Sequence, residues 1–298
     1  MNDTVMTRPQ FDRTAEDLGN IVELGHVNVT VPDQTKATAF YLMGLGLTRD
    51  PYLMAGIENM WVNVGRGQFH LPTRPPAQVV RGTTALVMPD RAALLRRLDY
   101  VKKYLEGTKY SFHEAEDAVE TVCPWGNRIR VHEPDSVRFG AMRVGMPYVE
   151  FDIPAGTNLP AIARFYTEIL NGIAGVAKDA RGPYAWANTS AESKVIFRET
   201  DRKLPKYDGH HIQITLADFS GPHKKLLERG LITEESDQHQ YRFLDIVDVD
   251  SNKPLFRIEH ETRSMRHPMF NRVFINRNPE MNNRNFVPGY EVGLWATN

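Results

Sequence analysis

The chain has 298 residues, enough at roughly 150 residues per unit for two separate cores. Hydrophobic residues make up 41% and charged residues 24%, a balance that excludes an intrinsically disordered chain. With 36 basic against 37 acidic residues the formal charge is -1, so no broad field draws the protein to nucleic acid or an anionic membrane, and a small-molecule ligand is the expected partner.

Residues 1–20 contain no apolar signal-peptide core, and no apolar run of about 18 residues occurs that could span a bilayer. They read as an N-terminal extension, with a cytoplasmic location expected. From residue 21 onward one pattern recurs four times: a strand, a helix, and short strands separated by Gly, Asn or Asp turns. In the first unit HVNVTVP is the strand and DQTKATAFYLMGLG the helix, ended by Gly44 and Gly46. The strands ENMWVNVG and QFHLP follow, joined by a tight turn at Gly65, Arg66 and Gly67. The second unit opens with TTALVMP, caps the helix RAALLRRLDYVKKYLE with Asp90, and closes with VETVCP and NRIRVHE. Its Cys123, the one cysteine of the chain, has nothing to pair with and reads as a small buried hydrophobe in a reducing compartment. The third unit runs from PYVEFDIP through NLPAIARFYTEILN to YAWANT and SKVIFRE. The fourth runs from HHIQITLAD through GPHKKLLERG to YRFLDIVD and LFRIEHE.

One such unit cannot bury its own sheet, whereas two side by side can form a curved sheet lined by alternate residues of every strand. The expectation is an α+β fold of four βαβββ modules paired into two half-open barrels, residues 21–138 and 144–262. The boundary between them falls in SVRFGAMRVGM, residues 136–146. Residues 263–298 form a C-terminal extension with Phe270, Phe274 and Trp295 as apolar anchors. It is expected to pack on the body or on a second subunit, which leaves a homodimer open.

GHVNVTVPD with FYLMGLGL, and the closing strand PWGNRIRVHEP, resemble the vicinal oxygen chelate superfamily, which includes glyoxalase I, bleomycin-resistance proteins and extradiol dioxygenases. The resemblance covers residues 21–262, and four units in one chain are more similar to the two-barrel dioxygenases than to two-unit glyoxalases. It implies that the first and last strands of each unit can place His, Glu or Gln around one divalent metal, Fe(II), Mn, Zn or Ni, at which paired substrate oxygens chelate. On that pattern His26 and His70 fall on ligand positions of the first barrel, with Thr83 and Arg130 on the other two. In the second barrel Tyr148 and His211 open the units and Arg257 stands where a Glu is expected. Glu259, two residues on and on the same face, restores a carboxylate if the register slips. Tyr148 stands where ring-cleaving dioxygenases have a histidine, which counts against that chemistry.

The expected function is a metal-dependent enzyme acting on a small, oxygenated, acidic molecule by dioxygenation, isomerisation or lyase chemistry. His26 and His70, with His211 and Glu259, are the metal candidates. Arg130 would stand beside the first two and orient the substrate through its planar fork. Trp61, Thr83 and Arg257 are expected to line the substrate; Tyr184 and Trp186 read as strand aromatics that either pack a core or wall a pocket. The alternative is a metal-free protein that sequesters a small molecule, its histidines being ordinary residues of half-buried strands. Phosphate-binding glycine loops and nucleophile elbows are absent, so nucleotide-dependent and triad chemistry are not expected.

Overall fold

Alternation of apolar and polar side chains gives each strand one face for the core and one for a site. The computed structural model describes residues 11–53 and 58–276. The first unit comprises β1 (Ile21–Asn28), the helix α1 (Gln34–Ala37) continued by a π-helical stretch (Thr38–Gly44), β2 (Thr48–Arg49), β3 (Asn59–Val64) and β4 (Gly67–Pro72). The second comprises β5 (Gly82–Val87), α2 (Arg91–Val101), β6 (Ser111–Glu114), β7 (Val119–Val122) and β8 (Arg128–His132), followed by the short helix α3 (Ser136–Phe139). The third has β9 (Tyr148–Pro154), α4 (Leu159–Arg164) with a π-helical continuation (Phe165–Ile169), β10 (Ala174–Asp179), β11 (Gly182–Asn188) and β12 (Lys194–Thr200). The fourth has β13 (His211–Leu216), α5 (Ser220–Glu228), β14 (Ile232–Asp237), β15 (Gln240–Val247) and β16 (Pro254–Ser264). The α+β class and the four-module plan expected from the sequence are those observed.

Local signals explain the helix starts. Asp33, Asp90 and Asn158 each accept a hydrogen bond from the backbone N–H three residues on, satisfying one of the free donors of the first turn.

The pairing of the modules differs from the expectation. One eight-stranded sheet has the order β14-β15-β16-β13-β1-β4-β3-β2 and so joins units one and four; the other, β10-β11-β12-β9-β5-β8-β7-β6, joins units two and three. Residues 21–138 and 144–262 therefore do not each form a sheet. The antiparallel ladders β1–β13 and β5–β9 set this arrangement, and the chain crosses from the first sheet to the second and back. Within every unit the first and last strands run parallel, as in β1–β4 and β13–β16.

Both sheets turn their apolar faces toward the helices. A single buried cluster contains Val27, Phe40, Leu98, Phe151, Phe165, Ile212 and Phe243, residues drawn from all four units. The Tyr41 ring meets Phe69 at 5.1 Å, and Phe165 of the third unit meets Phe243 of the fourth at 5.8 Å. Burying each such side chain stabilises the fold by roughly 1.5–3 kcal/mol, which fixes the polar faces of both sheets outward. Among the described residues no helix is long and apolar enough to cross a membrane.

Candidate metal centre

On the first sheet the outward face carries His26 and Asn28 of β1, Gln68 and His70 of β4, His211 and Gln213 of β13, and Glu259 and Glu261 of β16. Asn28 stands opposite both His70 and His211, while Gln213 stands opposite both His26 and Glu261. Four neighbouring strands thus bring three histidines and two glutamates to one face. The ligand atoms of His26, His70 and His211 all lie within 4.8 Å of one another. Glu261 Oε1 is 4.0 Å from His26 Nε2, and its Oε2 is 3.5 Å from His211 Nε2. Gly25 makes room for this: a Cβ there would meet Gln213 Oε1 at 1.8 Å, so a side chain at this bulge in β1 would displace the Gln213 amide.

These polar atoms are buried without hydrogen bonds. His26 Nε2, His70 Nδ1, His211 Nε2 and Asn28 Oδ1 have no hydrogen-bond partner among the described residues. Each such orphan ordinarily costs about 1–3 kcal/mol, and the three imidazole nitrogens within 4.8 Å of one another beside the Glu261 carboxylate make a donor set that fits a metal cation. The protonation states agree. Burial, which outweighs the opposing Glu261 carboxylate, holds the His26 imidazole well below its usual range and that of His70 at about 3, so both offer lone pairs at neutral pH.

Glu261 is the reverse case. Burial alone would raise its carboxyl, but the His26 and His211 rings and the Arg263 guanidinium hold it well below the usual carboxylate range. The permanently charged arginines decide this: Arg242 Nη2 donates to Oε2 at 2.5 Å, and Arg263 Nη2 lies 2.7 Å from Oε1. Arg242 also donates to Glu259 Oε1 at 2.6 Å.

An outer layer orients the imidazoles. Trp61 stacks on His70 with ring centroids 3.8 Å apart and an interplanar angle of 9°. Asn59 Oδ1 takes the His70 Nε2 proton at 2.6 Å, and Glu259 Oε1 lies 3.3 Å from His211 Nδ1. The inner end of the face is closed by the C-terminal segment. His267, Met269, Phe270 and Phe274 leave a void of only about 10 Å³ beside His26, Gln68 and Arg263. Arg272 ion-pairs with the fully buried Asp50, and Asn276 exchanges two hydrogen bonds with Gly65. Trp295 lies outside the described residues.

The structure thus brings His26, His70, His211 and Trp61 together, sets Glu259 against the outer nitrogen of His211, and separates Thr83, Arg130 and Arg257 from them. Glu261, rather than Glu259, faces the Nε2 atoms of His26 and His211, because alternate residues of β16 share a face and the ladder sets Glu259 opposite His211 itself. Thr83 and Arg130 lie on β5 and β8 of the other sheet, where Arg130 donates to Asp117 at 2.7 Å. Arg130 is therefore not beside His26 and His70. Arg257 is exposed and paired with Asp245 at 2.8 Å, away from the cluster. Sequence reasoning missed Glu261, Arg242, Asn59 and Asn28. The alternation of charge in RIEHETR marks Glu261 and Arg263 as sharing a face with Glu259.

No family model and no curated protein matches the sequence. Solved structures do match. Glyoxalase I from Zea mays aligns with a TM-score of 0.54 at 13% identity over 82% of this chain and 93% of that one. A point mutant of the same maize enzyme gives 0.55 at 11% over 83% and 94%. A candidate dioxygenase from Bacillus subtilis gives 0.54 at 14% over 84% and 87%. The chain has the fold of the vicinal oxygen chelate proteins.

Proposed function

We propose that the chain is a metal-dependent enzyme whose centre is held by His26, His70, His211 and Glu261. The observation that supports this is the convergence of three buried imidazole nitrogens with no hydrogen-bond partner beside the Glu261 carboxylate. Three imidazoles and a carboxylate suit Fe(II), Mn, Zn or Ni. A bound divalent ion would supply Lewis-acid polarisation of paired oxygens on a substrate.

The remaining roles belong to the chain itself. Asn59 and Trp61 fix the His70 ring, and Glu261 keeps its charge because Arg242 and Arg263 flank it. Arg242, half-buried and bridging Glu259 and Glu261, takes the part expected of Arg130 as a cation beside the cluster. The substrate class that fits is a small oxygenated acid, and the donor set serves isomerase, lyase and dioxygenase chemistry alike.

Elemental analysis of the purified protein, beside a His26→Ala, His211→Ala double variant, tests the reading. Near-stoichiometric metal in the parent and its loss from the folded variant is the expected result. Absence of metal after reconstitution with Fe(II), Mn, Zn and Ni in turn would sink it and leave a metal-free sequestering protein.

A further inference from the structure

The register that builds the histidine cluster repeats on the other sheet. Thr83 stands opposite Glu150 as His26 stands opposite Gln213, and Ala85 stands opposite Arg130 as Asn28 stands opposite His70. Along the same ladders Glu150 pairs with Ile196 as Gln213 pairs with Glu261. Thr83, Arg130, Tyr148 and Ile196 therefore occupy the places of His26, His70, His211 and Glu261. Even the glycine is matched, since a Cβ on Gly82 would meet the Glu150 carbonyl oxygen at 1.9 Å.

These four residues cannot assemble a metal site, because neither the Arg130 guanidinium nor the Ile196 side chain offers a lone pair. Yet this face is hollow. A cavity of about 310 Å³ opens on it, lined by Thr83, Arg130 and Tyr148 and by four further arginines against four carboxylates. Two of those carboxylates are each divided between two guanidiniums. Asp152 Oδ2 accepts from Arg128 at 2.5 Å and from Arg202 at 3.1 Å. Glu150 accepts both Nη atoms of Arg181, at 2.8 and 2.7 Å, and Nε of Arg198 at 3.3 Å. The Nε of Arg130 is buried without a hydrogen-bond partner. Arg198 also pairs with Asp179 and Arg130 with Asp117, so each guanidinium of the cavity has a carboxylate, two of these carboxylates are shared, and the buried Arg130 Nε is a donor left over.

Tyr148 supplies a defined polar edge. His132 Nδ1 lies 3.0 Å from the Asp117 carbonyl oxygen, which can only accept, so the ring proton sits there and Nε2 receives the Tyr148 hydroxyl proton at 2.9 Å. Burial pushes that hydroxyl up to about 12, so it stays protonated. Its oxygen then faces a ligand as an acceptor beside Arg130.

We propose that this cavity is a second binding site, independent of metal, for a small aliphatic carboxylate held by the guanidiniums of the second sheet. A planar fork matches a carboxylate through two parallel N–H donors. The volume sits at the small end of ligand pockets, and neither Trp nor Phe lines it to stack an aromatic ring. The assignment rests on the second sheet alone and stands or falls apart from the metal reading.

Titration calorimetry of the chelator-treated full chain with acetate, lactate and succinate, and with succinamide as the neutral control, tests it. Saturable binding of at least one acid, silence from succinamide, weakening of that acid on the order of tenfold in Arg130→Gln, and weakening of lactate, whose hydroxyl can donate to the Tyr148 oxygen, in Tyr148→Phe is the expected result. The tyrosine variant matters because Arg130 also pairs with Asp117, so its replacement alone could act through the fold. The His26→Ala, His211→Ala double variant should bind the acid as the parent does. Binding lost in that variant and kept in the cavity variants would move the site to the histidine face. Equal competition by inorganic phosphate, or no saturable binding of any of the three acids, would overturn the assignment.

Discussion

Asn59 Oδ1 lies 2.6 Å from His70 Nε2, and because an amide oxygen only accepts, the His70 ring carries its proton on Nε2 and its lone pair on Nδ1. The same Nδ1 is the atom left without a partner in the buried cluster. One outer residue thereby chooses which nitrogen faces the proposed ion. Asn59→Leu removes the acceptor while keeping the side-chain volume, and metal affinity should fall by roughly 10- to 100-fold. Competition against a chromophoric chelator measures it directly. An unchanged affinity would show that Trp61 stacking alone holds the ring.

Glu261 and Glu259 differ by two residues on one strand face and are both bound by Arg242, so their variants separate the two assignments. Glu261→Gln should abolish stoichiometric metal. It should also destabilise the protein by about 3 kcal/mol, since a buried charge is withdrawn from Arg242 and Arg263. Glu259→Gln should keep the metal, because Glu259 meets His211 at Nδ1, on the opposite side of the ring from Nε2. Equal metal loss in the two variants would remove the distinction drawn between them.

How much of this was legible in the sequence follows from what each signal encodes. Period-two alternation marks strands and their polar faces, so His26, His70 and His211 could be picked out as outward-facing residues on first or last strands. Nothing in one unit says which other unit will complete its sheet, because the edges of β1 and β5 present the same backbone donors and acceptors. That ambiguity alone misplaced Arg130 and Thr83, which occupy the equivalent positions of the wrong sheet. The choice between Glu259 and Glu261 depends on bulges in β1 and on the β13–β16 register, and both are set by tertiary contacts such as Gly25 against Gln213.

Arg272 anchors the C-terminal segment by ion-pairing with Asp50, whose carboxylate has no solvent exposure. Asp50 also accepts backbone N–H bonds from Tyr52 and Leu53 and one from Gln68 Nε2, so it cannot simply swing out to water. Arg272→Ala should therefore cost about 3–5 kcal/mol by leaving that charge buried and unpaired. It should also loosen residues 265–276, seen as faster amide exchange there. Asp50→Asn with Arg272→Ala should recover part of the loss, and failure of the double variant to do so would mean packing of Phe270 and Phe274 carries the anchoring.

His260 provides the pH test away from the outward face. Its Nδ1 donates to the Ile258 carbonyl at 2.9 Å, its Nε2 accepts the Tyr166 hydroxyl at 2.7 Å, and Phe243 stacks on its ring at 4.4 Å. The neutral ring is satisfied on both sides, and burial holds the imidazole at about 3 against an ordinary 6.5. The folded state therefore refuses a proton that the unfolded state takes up below pH 6.5. Its contribution to stability is whole above that value, falls as pH drops through the window from 6.5 to about 3, and falls no further below it. The slope for one such group is about 1.4 kcal/mol per pH unit. In the metal-free protein His26 and His70 add in the same direction, so the comparison must be between variants. His260→Phe should be less stable at pH 7, since Tyr166 loses its partner, but its denaturation free energy should vary less steeply between pH 6 and pH 4 than the parent's. Parallel pH profiles for the two proteins would show that His260 titrates in the folded state as it does in the unfolded chain.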